Sequence, residues 1–218
     1  MEDLKNYRDK ELKSYLIAQV LIFAYFYSAD ITAFLTNWKI GLVQFISSTL
    51  LSSSLCIFTY VIDAMFGDKV KSKLLFLISR LPGEKIFTKI KKKDFDVRYS
   101  SKEAQKKYSE IYNNMPTEKE EKYKYENVHW YKIYSHCRAE TMIRKSHREY
   151  LMCRDIYTST LIILLLYFLL VIISPQIAFS KMYLIFQLVV IVVTNIAARQ
   201  KASRFVENVI ASDMDDLD

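Results

Sequence analysis

The stretch Tyr157–Ser174, YTSTLIILLLYFLLVIIS, decides the fold class: 18 residues pass without one charged side chain. As a helix rising 1.5 Å per residue it would span about 27 Å, close to the roughly 30 Å hydrocarbon core of a bilayer. Working outward, three more stretches lack Lys and Arg: Tyr15–Thr36, Ile40–Phe66 and Met182–Ala198. Of all residues, 51% are hydrophobic and 25% charged, and the two classes fall in separate blocks, whereas a soluble domain would interleave them. Three Gly and three Pro in 218 residues leave little material for loops, so the chain is expected to be helical throughout. The expected fold is an all-α membrane protein: four transmembrane helices in two hairpins, with a helical cytoplasmic domain between helices 2 and 3.

Lys and Arg set the expected orientation. The links Asn37–Lys39 and Pro175–Lys181 hold one base each, and the other 29 of 31 lie elsewhere. By the positive-inside rule both termini and the middle region face the cytoplasm. The expected divisions are 1–66 (terminal segment and first hairpin), 67–156 (basic domain), 157–198 (second hairpin) and 199–218 (acidic-ended tail). The flank Met1–Lys13 mixes four acids with four bases and no small-x-small site follows, so no cleavable signal peptide is expected. The three cysteines, Cys56, Cys137 and Cys153, give no disulfide framework.

The middle region carries 22 bases and 13 acids, an excess of 22 − 13 = +9. Gly67–Leu81 has apolar residues at helical spacing with Lys69, Lys71, Lys73 and Arg80 between them, as suits a helix along the inner leaflet. Pro82–Gly83 ends it. The run at Lys89, Lys91, Lys92 and Lys93 is a candidate lipid contact; the plain alternative is a solvated turn. Ser100-x-x-Glu103 and Thr117-x-x-Glu120 read as capping boxes. No Gly or Pro interrupts Thr141–Ser174, predicting one helix of about 50 Å.

Two acids fall in the apolar stretches. Asp30 lies toward the outer end of span one and Asp63 near the inner end of span two, too far apart in depth to pair. Such groups face a cavity or a partner, or reach out to water; for Asp63 the last reading is favoured. Gln44, Ser48 and Ser52 share a helical face that Thr59 and Asp63 continue, marking a pore wall or helix seam. Spans three and four are smoother, with Gln187 the exception. Trp130, Tyr131, Tyr134, Arg144 and Arg148 are candidates for binding a partner. Bases interleaved with aromatics also suit nucleic acid or a nucleotide, a less favoured partner because topology alone supplies the bases. His129, His136, Cys137, His147 and Cys153 lack zinc-site spacing. No nucleophile motif or phosphate loop occurs, so neither metal, cofactor nor enzymatic activity is expected.

The order PGEKIFTKI (Pro82–Ile90), KYSEIYNNMP (Lys107–Pro116), N-x-x-WYKIY (Asn127–Tyr134), S-H-x-x-YL (Ser146–Leu151) and Arg154–Asp155 before a span resembles small bacterial membrane proteins encoded beside anti-phage defence modules, of the retron or cyclic-nucleotide type. The resemblance covers roughly half the chain. It implies an effector held inactive until infection, then permeabilising or depolarising the inner membrane. The expected form is a homo-oligomer joined through its transmembrane helices, with the cytoplasmic domain sensing the trigger. The alternative is a non-catalytic anchor that recruits a soluble protein through the basic domain.

Overall fold

The computed structural model describes residues 2–28, 38–77, 79–92, 96–174 and 177–215. Nine α-helices and one 3-10 turn make up these residues, with no strand among them. In chain order they are α1 (Glu2–Ser28), α2 (Trp38–Met65), α3 (Asp68–Leu75), α4 (Ile86–Lys92), α5 (Ser101–Lys107), α6 (Ser109–Asn113), α7 (Lys119–Cys137), α8 (Thr141–Ile173) and α9 (Lys181–Asp215), with the 3-10 turn at Pro82–Glu84. The uninterrupted helix expected after Glu140 is α8. Three helices, α2, α8 and α9, are long and apolar enough to cross a membrane.

The chain divides into two compact units. The first comprises residues 1–75 and 152–197. In it α1 packs along α2, and an aromatic cluster joins α1 to α8 and α9. Phe23 stacks on Tyr27 (4.4 Å between centroids) and meets Tyr183 edge-on (5.2 Å), while Tyr167 meets Tyr183 edge-on at 4.8 Å. Lipid tails are as apolar as leucine, so such helices gain cohesion from close packing and hydrogen bonds rather than from hydrophobic burial. Each aromatic pair adds about 0.5–1.5 kcal/mol.

The second unit comprises residues 76–151 and 198–218. Its core gathers Ile86, Phe87 and Ile90 of α4, Ala104 of α5 and Trp130 and Cys137 of α7 around Phe205, Val206, Val209 and Ile210 of α9. The segment 199–218, read from sequence as a tail, thus supplies a large part of this core. Its apolar residues recur at three to four positions, the spacing of a helix with one buried face. Phe205 is the hub: its ring stacks on His147 (4.7 Å) and Tyr150 (6.2 Å) and meets Trp130 (5.6 Å) and Tyr134 (5.4 Å) edge-on. A fragment of residues 67–155 would lack this half of the core.

Local chemistry fixes the short helices. Ser100 and Glu103 form the expected reciprocal cap: Glu103 N donates to Ser100 Oγ (3.2 Å) and Ser100 N to Glu103 Oε2 (2.8 Å). The second expected box is corrected. The residue before α7 is Glu118, with no side-chain cap, and Glu120 instead pairs with Arg80. The fully buried Glu126 of α7 holds the first turn of α4, accepting from Thr88 N (3.0 Å) and from the Thr88 hydroxyl. Gly83 is needed for close approach: a Cβ there would lie 2.9 Å from Asn127 Oδ1 and 3.1 Å from Trp130 Cε3. Gly83→Ala should therefore destabilise this unit by about 1–3 kcal/mol, the usual cost of overpacking. Denaturant unfolding followed by tryptophan fluorescence checks this; an unchanged midpoint would mean that Asn127 and Trp130 yield freely.

Candidate functional site

Inside the first unit, a run of polar side chains joins α1 to the apolar helices α8 and α9. Thr160 on α8 donates to the Ile156 carbonyl of its own helix (2.7 Å), so the Tyr15 hydroxyl on α1, 2.7 Å away, donates to Thr160 Oγ1. Gln19 Nε2, one turn along α1, donates to the Tyr15 hydroxyl (2.8 Å). Gln187 Nε2 on α9 donates to Gln19 Oε1 (2.8 Å). Gln19 and Gln187 are both buried. This column ties three helices together through side chains that a purely packed interior would not need. The buried Gln187 Oε1 of this column, and Ser159 Oγ beside Thr160 in the chain, have no hydrogen-bond partner among the described residues. Leaving such groups unpaired costs about 1–3 kcal/mol each, more than apolar packing would tolerate without another reason for them.

Farther along α8 a tyrosine pair meets the segment before α9. Ser180 N donates to the Tyr167 hydroxyl (2.9 Å), and the Tyr27 hydroxyl lies 3.0 Å from Tyr167 and 2.9 Å from the Ala178 carbonyl. With one proton to give, Tyr27 donates to Ala178 and accepts from Tyr167.

At the opposite end sits a cluster of charges. Asp63 of α2, Lys71 of α3 and Arg154 and Asp155 of α8 are all buried. Lys71 Nζ lies 2.5 Å from Asp63 Oδ2 and 3.5 Å from Asp155 Oδ1, and Arg154 binds Asp155 Oδ1 through Nε (3.1 Å) and Nη2 (3.0 Å). Thr158 Oγ1 lies 3.0 Å from both Asp63 Oδ1 and the Asp155 carbonyl. Two positive and two negative charges cancel inside the unit. Arg154 Nη2 also reaches Asp68 (2.7 Å), whose side chain is 79% exposed, so the cluster has one edge in solvent.

The expected reading of Asp63 as a group reaching water is corrected: a lysine eight residues on satisfies it in the interior. The α2 face is buried at Ser48, Ser52, Leu55, Thr59 and Asp63, as the spacing predicts, with Gly41 as its outer member. Gln44 is exposed and leaves the set. Ser48, Ser52 and Thr59 donate to carbonyls of their own helix (3.0, 3.0 and 2.8 Å), so their hydroxyls are engaged within α2, which packs against α1. Asp30 and Lys93 lie outside the described residues.

In the second unit the basic run is partly structural. Lys89 pairs with Glu207 (2.6 Å), Lys91 lies over the Tyr112 ring (5.7 Å), and Lys92 is exposed. Trp130 belongs to the core rather than to a binding surface: it stacks on Tyr134 (5.7 Å) and its Nε1 donates to the Val206 carbonyl (3.4 Å). Tyr134, half-buried, shares a hydrogen bond with His147 (3.2 Å). Tyr131, 60% exposed, and Arg144 stay on the surface, with Arg148 half-buried. His129 and His136 each bond the carbonyl four residues back in α7. Burial raises the pKa of the Cys137 thiol. No three His, Cys, Asp or Glu side chains gather as a metal site among the described residues.

Sequence reasoning missed Tyr15, Gln19, Lys71 and the pairing of Arg154 with Asp155. An amide in a stretch without bases, such as Gln19 in Tyr15–Thr36, is as visible in the sequence as Gln187. The partners of Lys71 lie on other helices and leave no local signal. Comparison with family models, with curated proteins and with solved structures returned no match.

Proposed function

We propose that the chain is a four-span membrane protein, α1 with α2 and α8 with α9 forming the hairpins and both termini cytoplasmic, that conducts ions through the polar interior of its first unit. The observation that carries this reading is the hydrogen-bonded column Thr160–Tyr15–Gln19–Gln187 running between α8, α1 and α9. Buried polar groups within apolar spans are costly and usually mark a pathway. The charge cluster at Asp63, Lys71, Arg154 and Asp155 supplies a gate, since moving α3 against α8 would expose its charges to the same interior. The column belongs to one chain, so a path along it requires no sister copy. Together with the resemblance to defence-associated membrane proteins, this makes the chain a non-catalytic effector of the bacterial inner membrane. Its second unit receives the trigger.

Expression in bacteria with a voltage-sensitive dye tests the reading. The chain should depolarise the membrane. Gln19→Leu combined with Gln187→Leu, which removes both partners and strands neither, should reduce the depolarisation about tenfold at equal membrane content. Unchanged depolarisation would remove the column as the path. The exposed Val128 and Tyr131 of α7 favour a second reading, an anchor that recruits a soluble protein. A triggered chain that leaves the potential intact would favour it.

A further inference from the structure

The second unit has a groove of about 350 Å³ between α8 and α9, lined by Lys145, Ser146, Glu149, Lys201, Arg204 and Asn208. Three bases face one acid there. Lys201 Nζ binds Glu149 Oε2 (2.6 Å), and that bond, with the field of Lys145 and Arg148, holds Glu149 below the usual carboxylate range. The carboxylate is satisfied, and the groove keeps a surplus of two positive charges from Lys145 and Arg204. Its floor is built: Asn208 Nδ2 donates to Ser146 Oγ (2.8 Å), and the buried Ser146 donates to the Met142 carbonyl (2.8 Å). Arg204 also borders a more open hollow with Arg199, Gln200 and Ser203. Ammonium and guanidinium groups converging over a polar floor suit a phosphate, which accepts from both.

We infer that this groove binds the phosphate head group of an anionic phospholipid. The source follows from depth along α9. Its base-free stretch ends at Ala198, and Lys201 and Arg204 lie three and six residues farther, about 5 and 9 Å along the axis. A head-group layer is about 5–7 Å thick in each leaflet, so Lys201 lies within it and Arg204 at its outer edge, within reach of a long side chain. The inference rests on α9 crossing the membrane with Arg199 onward on the cytoplasmic side; it does not require conduction.

The test uses the full chain purified in a neutral detergent, with thermal unfolding followed as a short-chain lipid is added. Phosphatidylglycerol should raise the midpoint saturably, and phosphatidylcholine and inorganic phosphate should not. Lys145→Gln with Arg204→Gln should weaken the apparent affinity about thirtyfold, from the usual contribution of two bases near an anionic surface. Lys102→Gln with Lys106→Gln, the same charge loss at exposed positions on α5, should change it less than about threefold. Equal weakening in the two variants would reduce the effect to diffuse attraction and overturn the site. A response to inorganic phosphate matching that to phosphatidylglycerol would overturn the lipid and leave a soluble phosphate ligand. Protease access to the Arg199–Arg204 segment in sealed vesicles of either orientation checks the topology separately.

Discussion

Lys71→Met should cost the first unit about 3–5 kcal/mol, the usual penalty for removing one partner from a buried ion pair. Lys71 lies between Asp63 and Asp155, both buried, and its loss would leave Arg154 to balance two carboxylates. Methionine keeps most of the volume, so the loss reports charge rather than a cavity. The sharper measurement is the pair Lys71→Met with Asp63→Asn, which restores neutrality. If the quartet acts as one unit, the double variant should recover at least half of the loss in a thermal unfolding series. Arg80→Gln serves as the surface comparison, because the Arg80–Glu120 pair is half exposed and such pairs contribute about 0–1 kcal/mol. A Lys71→Met midpoint equal to that of Arg80→Gln would mean that solvent reaches the cluster freely.

Phe205→Ala should have an effect of similar size on the second unit, about 3–5 kcal/mol for deleting a buried aromatic side chain. Four rings, those of Trp130, Tyr134, His147 and Tyr150, lose a shared neighbour at once. In a Trp38→Phe background Trp130 is the sole tryptophan, and its emission should shift to the red as water enters. Limited proteolysis between Lys119 and Arg138 should accelerate in parallel. An unshifted spectrum and unchanged cleavage would mean that α4, α5 and α7 hold Trp130 without the last helix.

The sequence announces its apolar helices plainly, because a run without charge is a local property that needs no knowledge of partners. The buried face of α2 is legible for the same reason: Ser48, Ser52, Thr59 and Asp63 recur at the helical period. Gln44 fails at its margin, since at 100° per residue it falls about 60° from Gly41, which occupies the buried edge. What a pattern cannot carry is distance in sequence. Lys71 sits among other lysines and looks like part of a solvated face, yet its two partners lie on α2 and α8. Trp130 and Phe205 pose the same difficulty in the second unit. Each looks available until the other is set against it, 75 positions away in the numbering (205 − 130). Tyr15 and Gln19 are legible as polar residues in a stretch without bases, but their alignment with Thr160 and Gln187 depends on how three helices stagger.

The second unit's core also bears on the order of synthesis. Its residues come in two groups, 76–151 and 198–218, separated in the chain by 152–197. Translation at about 5–20 residues per second puts several seconds between the appearance of Trp130 and that of Phe205. During that interval Phe87, Tyr108 and Trp130 have no α9 to close over them, while the apolar stretches of α8 and α9 are being made. The second unit can therefore close its core only on chains whose last helix, α9, has already been made. Closure of its core becomes a built-in check that synthesis has reached α9.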